Sequence, residues 1–450
     1  MRRLFGTDGI RGKVNKEPMT AEMAMQIGQA VGYVFKRKGR RQKIVVGKDT
    51  RLSGYMLESA IAAGISSMGG DVILVGSMPT PGIAFITSNM NADCGIVISA
   101  SHNPFDDNGI KIFSRNGFKL SDNQEIEIEE LIFSGKLPDL VSEACQIGRV
   151  FREEEDALRR YMLFLRNTFH KKMDLEGVKI VLDCANGATY KAAPAVFKQM
   201  RASIFPMNVN PDGKNINLEC GSLYPECLAE EVVRRKADIG FAFDGDGDRL
   251  IAVDEKGNIV NGDKILAICA KHMKKEGILK NNIVVSTVMS NLGLSLALKE
   301  MGIIHSTSKV GDRYVLEEMI KNEVALGGEE SGHVIFLDCH TTGDGIITAF
   351  QVLAVMQEEK EPLSELAQIM KSFPQIVMNV DIKRKPDLKK VPKINQAIKD
   401  GEKELKDRGR VLVRYSGTQN VCRVMVEGQS QERIEEIAKR IADVVRAQLN

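Results

Sequence analysis

Between Phe243 and Leu250 the chain carries three aspartates, Asp244, Asp246 and Asp248, which are separated only by single glycines. Carboxylates this close repel one another unless a cation lies among them. The glycines allow the tight backbone turn that would aim the three side chains at one point. Because all the donors are hard oxygens, the pattern predicts a divalent-metal loop that binds Mg²⁺ and supports phosphate chemistry.

Two other interpretations of this loop compete with the first. In a calcium EF-hand the three aspartates would fill the first ligand positions and Glu255 the twelfth, but the sixth position requires glycine and holds Arg249. The flanking runs at 239–243 and 250–253 are short and apolar, which is typical of strands and not of EF-hand helices. A solvated acidic turn without any ion is the second alternative.

The composition is that of an ordinary globular protein of several domains. The 450 residues predict roughly three or four domains, and the apolar and charged fractions of 43% and 27% are typical of a soluble chain. A net charge of +2 argues against nucleic acid as a partner, and no apolar run is long enough to span a membrane. The N-terminus lacks the apolar segment of a signal peptide, and none of the eight cysteines forms a Cys-x-x-Cys pair. These features predict a cytoplasmic protein with reduced thiols and no zinc site.

Strand and helix patterns alternate over most of the chain. A β-branched run at 44–46 precedes a helical pattern at 56–68 and a strand at 72–75, and similar strand runs recur at 179–182 and 283–286. Strands that alternate with helices predict α/β domains, whose ligands bind beyond the carboxyl ends of the strands. The pattern changes near the C-terminus, where two strands lie between two amphipathic helices. The predicted domains are three α/β domains over 1–155, 156–255 and 256–370 and a smaller α+β domain over 371–450.

A weak internal repeat links the three α/β parts. Segments 92–113, 237–253 and 324–336 each consist of an apolar strand, a polar loop with glycine or proline, and a return strand. Three similar modules, each with a loop of different chemistry, predict a cleft assembled from several domains.

The first of these loops contains Ser101, His102, Asn103 and Pro104. The Asn-Pro pair favours a turn whether or not the loop has a function, and a serine at a strand end also suits a nucleophile or phosphoryl carrier. The residues do not form a Gly-x-Ser-x-Gly elbow, which argues against an esterase-type hydrolase. Lys111 follows in the return strand and either faces the same cleft or is an ordinary exposed lysine.

The remaining loops carry groups suited to sugars and phosphates. Glu329 and Ser331 lie between glycines and are suited to hydrogen-bond adjacent sugar hydroxyls, while His333 is either a ligand contact or a strand-edge histidine. Asp312 precedes a helix that begins near Tyr314, as an N-cap residue would. One guanidinium, two hydroxyls and a glycine that suit a phosphate dianion follow the strand at 411–413, in Arg414, Ser416, Gly417 and Thr418.

Taken together, five motifs follow the order found in the α-D-phosphohexomutases, and the chain resembles that family over essentially its whole length. The motifs lie at residues 6–12, 99–104, 244–249, 328–333 and 414–418. Three further stretches, 6–12, 211–222 and 311–315, are most similar to the phosphoglucosamine mutase branch.

The resemblance implies three α/β domains with mixed sheets and a smaller C-terminal α+β domain around a central cleft. It implies an isomerase that interconverts glucosamine 6-phosphate and glucosamine 1-phosphate through a 1,6-bisphosphate and feeds UDP-N-acetylglucosamine synthesis. The expected cofactors are a single Mg²⁺ in the active site and a hexose 1,6-bisphosphate primer. The expected partner is the phosphosugar, without nucleic acid or membrane, and the expected state is a monomer or homodimer.

The resemblance also assigns residues by position. Ser101 would be the phosphoserine and, with the three aspartates, a ligand of the metal. The other catalytic positions are Arg11, His102, Lys111 and Arg249. The substrate-binding positions are Lys309, Glu329, Ser331, His333, Arg414, Ser416, Gly417, Thr418 and Arg423.

One departure from the family pattern stands at Gln419 and Asn420, where Glu and Pro usually follow. The phosphate-contacting positions survive this change, whereas the charge and rigidity of the loop are altered. Three alternatives therefore stay open: the same chemistry on mannose or glucose phosphates, a catalytically idle protein that binds sugar phosphates, and a calcium-binding structural protein.

Overall fold

The computed structural model describes residues 3–37, 39–169, 174–415 and 420–449. The chain divides into two compact units, one formed by Met1–Met289 with Ile303–Ile369 and the other by Ser290–Gly302 with Met370–Asn450. The predicted boundaries near residues 155, 255 and 370 stay a prediction.

A six-stranded mixed sheet forms the N-terminal part of the first unit. Its β-branched strands are buried on both faces, as helix-covered α/β sheets require. The elements in chain order are β1 (Ile10–Lys13), α1 (Ala21–Val34), β2 (Lys43–Lys48), α2 (Ser53–Ser67), β3 (Asp71–Ser77), α3 (Thr80–Asn89), β4 (Cys94–Ile98), β5 (Asp107–Ser114), α4 (Asp122–Phe133) and β6 (Val150–Arg152). The sheet order is β1-β5-β4-β2-β3-β6, and only β1 and β5 form its antiparallel pairs among the described residues.

Two further mixed sheets follow in the same unit. The first consists of α5 (Glu154–Thr168), β7 (Lys179–Asp183), α6 (Thr189–Gln199), β8 (Ser203–Met207), α7 (Glu226–Arg235), β9 (Ile239–Phe243), β10 (Leu250–Asp254) and β11 (Ile259–Val260). The next stretch contains α8 (Gly262–Lys275), β12 (Ile283–Thr287), α9 (Leu292–Glu300, which belongs to the second unit), β13 (Ile304–Ser308), α10 (Asp312–Lys321), β14 (Leu326–Gly328), β15 (Val334–Phe336), α11 (Gly345–Glu359) and α12 (Leu363–Leu366). The strand orders are β11-β10-β9-β7-β8 and β13-β12-β14-β15.

The predicted repeat is confirmed as one supersecondary unit that occurs in all three sheets. In each, a strand runs parallel to a central strand and then returns as its antiparallel neighbour: β4 to β5, β9 to β10, and β14 to β15. The turns between these strands are the serine loop (residues 99–106), the aspartate loop (244–249) and the glutamate loop (329–333). All three loops lie at the carboxyl ends of parallel strands, where α/β sheets bind ligands.

The second unit is a smaller α+β fold. Its elements after α9 are β16 (Gln375–Asp381), α13 (Pro392–Leu405), β17 (Gly409–Tyr415), β18 (Val421–Gly428) and α14 (Gln431–Leu449). The strands form an antiparallel sheet in the order β16-β18-β17. Ile434, Ile437, Ile441 and Val445 form a fully buried stripe at helical spacing on α14, which joins the core of this unit. The predicted α+β class of this part is confirmed.

Buried polar contacts join the three sheets of the first unit. Arg313 on α10 reaches back to α4, where its guanidinium donates to Asp122 at 2.7 Å and to Glu125 at 3.1 Å. The hydroxyl of Tyr161 on α5 donates at 2.7 Å to Asp344, which caps the N-terminus of α11. These contacts fix the three hairpins relative to one another.

We predict that Tyr161→Phe lowers the free energy of unfolding by about 1–3 kcal/mol, because it leaves a buried carboxylate oxygen without its donor. Burial raises the pKa of Asp344 to about 6, so its carboxyl is ionised at pH 8 and largely protonated at pH 5. The loss should therefore be larger at pH 8. Urea unfolding at both pH values measures it, with Tyr33→Phe, at a half-exposed tyrosine (39%), as the control. Equal losses in both variants would contradict the assignment.

Candidate active site

The aspartate loop is a tight turn that closes the hairpin of β9 and β10. One carboxylate oxygen each from Asp244, Asp246 and Asp248 lies within 4.8 Å of the others, and all three residues are buried. The backbone at Gly247 has φ +72°, and a Cβ at Gly245 would lie 2.5 Å from the carbonyl oxygen of Ser101. Glycine is therefore required at both positions, once for a left-handed conformation and once for close approach to the serine loop.

Ser101 lies at the start of the serine loop and faces the aspartates. Its hydroxyl donates to Asp244 Oδ2 at 2.6 Å, and His102 Nδ1 lies 3.2 Å from the same hydroxyl oxygen. The residue is buried and has a left-handed φ of +54°, which costs an L-residue roughly 1–2 kcal/mol. Strained backbone of this kind persists only where surrounding contacts impose it, and it clusters at functional sites.

Cations from two hairpins compensate the three carboxylates. Lys111 on β5 is buried, with Nζ 2.9 Å from Asp246 and 3.5 Å from Asp248. The backbone N–H of Arg249 donates to Asp244 at 3.2 Å, and its guanidinium Nε lies 3.9 Å from Asp248. These contacts place two positive charges around three negative ones.

The pKa values follow from this crowding. Burial, reinforced by Asp248 and Asp246, raises the pKa of Asp244 well above its usual range. Burial acts in the same direction on Asp248, but Lys111 and His333 outweigh it, so the pKa of Asp248 is lowered. The carboxylate near the cations is thus the anion of the pair, while Asp244 is short of positive charge.

A second group of charges borders the first. The carboxylate of Asp8 pairs with Arg11 and Lys119 and lies 3.3 Å from Lys111 Nζ. Arg11 also donates to the carbonyl oxygen of Ala100 at 3.3 Å, next to Ser101. Asp8 therefore joins three cations of the N-terminal sheet into one network beside the aspartate loop.

The glutamate loop brings its residues to the same site. His333 is buried, with Nδ1 3.6 Å from Asp248, and its Nε2 accepts a hydrogen bond from the backbone N–H of Gly343 at 3.2 Å. Glu329 accepts from the backbone N–H of Gly311 at 3.1 Å, and burial raises the pKa of its carboxyl. Ser331 lies half-buried at the turn of the loop.

The other predicted substrate residues lie elsewhere. Lys309 is exposed, and its ammonium lies 5.6 Å from the ring centre of Tyr314 rather than against the aspartates. Arg414 and Arg423 are paired on adjacent strands of the second unit, and burial together with Arg423 lowers the pKa of Arg414. Two neighbouring guanidinium groups favour an anion between them. Ser416, Gly417, Thr418 and Gln419 lie outside the described residues.

The residues present fit a divalent cation. Asp246 Oδ1 and Asp248 Oδ1 are buried oxygens without a hydrogen-bond donor in the described part of the chain. Unsatisfied carboxylate oxygens that converge in this way are the donor set that Mg²⁺ and Ca²⁺ prefer. The aspartate loop and Ser101 can therefore hold a metal ion.

The structure corrects several of the alternative interpretations. The aspartate loop is not an EF-hand, because antiparallel strands flank it and Glu255 instead accepts a hydrogen bond from Ser364. It is not a solvated turn either, since its carboxylates are buried. Lys111 is not an ordinary exposed lysine. Asp312 is the first residue of α10 rather than its N-cap, and its carboxylate pairs with Lys119.

Several residues of the site were not singled out from the sequence. The hydroxyl of Thr80 donates to Asp246 at 2.7 Å, and nothing in the local sequence indicates this contact. Asp8 belongs to the N-terminal motif, where only Arg11 was selected. Asp49 and Arg51 follow β2 directly, and the rule that ligands gather at strand ends would have pointed to that position.

Comparison with known proteins agrees with this geometry. The sequence matches four models of phosphoglucomutase/phosphomannomutase: alpha/beta/alpha domain I over residues 2–139, domain II over 159–257, domain III over 261–373, and the C-terminal domain over 377–444. The chain therefore belongs to the phosphoglucomutase/phosphomannomutase family, as its motifs predict. It is an enzyme of the phosphohexomutase class, an isomerase that moves a phosphoryl group within a sugar phosphate.

Individual relatives narrow this further. The chain is 59% identical over 449 residues to the phosphoglucosamine mutase of Syntrophus aciditrophicus, and the alignment covers 100% of both proteins. A crystal structure of a phosphoglucomutase/phosphomannomutase family protein from Burkholderia thailandensis is 25% identical, with a TM-score of 0.81 over 100% of this chain and 99% of that one. N-acetylphosphoglucosamine mutase of Aspergillus fumigatus, solved in complex with GlcNAc-6P and magnesium, shares the fold with 17% identity and a TM-score of 0.68 over 100% of this chain and 96% of that one.

We predict that Mg²⁺ raises the thermal unfolding midpoint of the protein after metal removal by a chelator, because an ion that binds only the folded state stabilises it, by about 2.7 kcal/mol at one hundred times its Kd. Asp246→Asn should reduce this rise, as seen by scanning fluorimetry over a Mg²⁺ series. The matched control is Asp254→Asn at the other end of β10, where the buried carboxylate accepts from Lys256 N and Asn258 N. An equal Mg²⁺ response in both variants would place the ion elsewhere.

Proposed function

We propose that this enzyme interconverts glucosamine 6-phosphate and glucosamine 1-phosphate, with Ser101 as the phosphoryl carrier, and so supplies UDP-N-acetylglucosamine synthesis. The observation that carries the proposal is the 2.6 Å contact between the Ser101 hydroxyl and Asp244 inside a buried triad of carboxylates. A serine that must carry nearly two negative charges as its phosphate needs cations around it. Lys111, Arg249 and a bound Mg²⁺ would supply them. The amino sugar as substrate is supported by the 59% identity to a phosphoglucosamine mutase.

The transfer step follows from these positions. A hydroxyl of the bound sugar attacks the phosphorus on Ser101, the bond from phosphorus to Oγ breaks, and a 1,6-bisphosphate forms while the hydroxyl proton passes to a base. When bound to the three aspartates, Mg²⁺ would neutralise charge on the transferring phosphoryl group and on the leaving oxygen. The bisphosphate then reverses in the site, and its other phosphate returns to Ser101.

The charged residues of the chain divide the remaining work. Burial, with Arg249 and Arg11 nearby, lowers the pKa of His102 to about 4, so its imidazole is neutral at pH 7 and able to accept a proton close to Ser101. Burial alone would lower the pKa of Lys111, but Asp246 and Asp8 raise it well above its usual range. Lys111 therefore remains an ammonium that stabilises charge and does not act as a base.

The sugar is held by residues away from the transferring group. Glu329 and Ser331 would bind the sugar hydroxyls, with His333 as support at the edge of the aspartate loop and Lys309 as a further contact. The second unit supplies a phosphate site, for which the proposed residues are Arg414, Ser416, Gly417, Thr418 and Arg423.

Other features of the proposal concern the working state of the enzyme. A hexose 1,6-bisphosphate would prime Ser101, and a single Mg²⁺ would serve the site. None of the eight cysteines forms a disulfide, and none of the helices in the described ranges is long and apolar enough to cross a bilayer. The cytoplasmic location and the monomeric or dimeric state stay predictions.

We predict that peptide mapping of the purified enzyme finds a phosphoryl adduct on Ser101, and that Ser101→Ala abolishes turnover while the circular dichroism spectrum is unchanged. A hydroxyl is required to carry the group, so the loss should be complete within detection. Ser59→Ala, at an exposed hydroxyl that donates to Tyr55 O within α2, is the control and should keep full activity. An adduct on another residue, or substantial turnover by Ser101→Ala, would exclude the serine carrier.

We also predict that glucosamine phosphates are turned over with a higher kcat/KM than mannose or glucose phosphates. A coupled assay with Mg²⁺ and a hexose 1,6-bisphosphate primer compares the three substrates under one set of conditions. A preference for mannose or glucose phosphates would reassign the enzyme to phosphomannomutase or phosphoglucomutase. Tight phosphosugar binding without turnover of any substrate would identify an idle binding protein.

A further inference from the structure

The backbone of Ser101 is held at both of its polar groups. Its N–H donates to Ser99 Oγ at 3.0 Å, and its carbonyl oxygen accepts from Arg51 and from Asn217, each at 2.9 Å. Ser99 in turn donates to Asp49 at 2.6 Å. The left-handed residue that presents the hydroxyl to Asp244 is therefore fixed by neighbours that do not contact that hydroxyl.

Arg51 is the centre of this arrangement on the side of the N-terminal sheet. Its side chain is fully buried and forms an ion pair with Asp49, with Nε 2.8 Å from Oδ2. The guanidinium also donates to the carbonyl oxygens of Ser101 and Asn103, each at 2.9 Å, and to that of Pro104. A planar fork of this kind fixes several acceptors at once, which a lysine cannot do. Three carbonyls of the serine loop thus depend on one side chain.

Asn217 makes the matching contact from the second sheet. Its amide nitrogen donates to the carbonyl oxygens of Ser101 at 2.9 Å and Asn103 at 3.1 Å, and its own N–H donates to Ala185 O at the end of β7 at 2.9 Å. A Cβ at Gly245 would lie 2.7 Å from the same amide nitrogen. Asn217 therefore contacts both the serine loop and the aspartate loop.

We propose that Arg51 and Asn217 are positioning residues for phosphoryl transfer. They hold the Ser101 carbonyl in the left-handed conformation and thereby set the distance between the phosphoryl carrier and the aspartates. Arg51 acts from the serine loop's own sheet, and Asn217 ties that loop to the sheet that carries the metal ligands. The inference rests on the proposed role of Ser101 as carrier.

The energetic reasoning concerns the transition state. A released carbonyl lets Ser101 relax towards more favourable backbone angles, and its Oγ then leaves the position opposite Asp244. Misplacement by about 1 Å is enough to slow a positioned reaction on the order of 10²-fold. Neither residue has been assigned to sugar binding, so kcat should fall while KM for the phosphosugar stays near its original value.

The test compares Asn217→Ala and Arg51→Lys with the parent enzyme, using rapid-quench measurement of phosphoryl transfer from phosphorylated Ser101 to glucosamine 6-phosphate. We expect on the order of 10²-fold slower transfer in each variant, with KM nearly unchanged. The control is Asn258→Ala, which removes a comparable amide contact, 2.9 Å to Asp254, at the far end of β10. It should transfer at the parent rate.

Each result is decisive. Wild-type transfer rates in Asn217→Ala, or an equal loss in Asn258→Ala, would overturn the positioning role, and Asn217→Ala alone decides the matter if the buried Arg51→Lys does not fold. If the parent enzyme carries no adduct on Ser101, the proposed function itself fails. An adduct on Ser101 combined with undiminished transfer in both variants would overturn only the positioning role.

Discussion

The architecture depends on the balance of charge around three buried carboxylates. Asp244, Asp246 and Asp248 converge within 4.8 Å, and charges removed from water are tolerated only when partners compensate them. The compensating groups come from separate hairpins: Lys111 from β5, and His333 from the glutamate loop before β15. Two sheets must therefore dock on the third before the aspartates are compensated, so the docking of the sheets and the electrostatics of the site form one constraint.

Much of this could be predicted from the sequence, for a local reason. The aspartates are alternate residues of one loop, and the strand runs beside them set its place in a sheet. The hydroxyl at Ser101 is presented in the same way by β4. Local periodicity also identified the α+β class of the second unit, because α14 repeats buried residues at helical spacing.

The rest depends on contacts between distant parts of the chain. Asn217 and Ser101 are 116 residues apart in sequence, and no pattern around Asn217 indicates that its amide meets the serine loop. The alternatives for Lys111 were separated only by its burial against Asp246. The N-cap prediction for Asp312 failed because Lys119, from another sheet, pairs with its carboxylate. Tertiary partners, rather than local propensity, decided each of these cases.

The three hairpins have a consequence for how such a scaffold diverges. Each loop is closed by its own pair of strands, so an exchange of residues in one turn is contained by the ladder beneath it. The glutamate loop is closed by the register Gly328↔Val334, independently of the pairing under Ser101. Selection can therefore revise sugar discrimination in one turn while the group-transfer apparatus in the other two is inherited intact, which is how a common ancestor gives rise to enzymes with different diets.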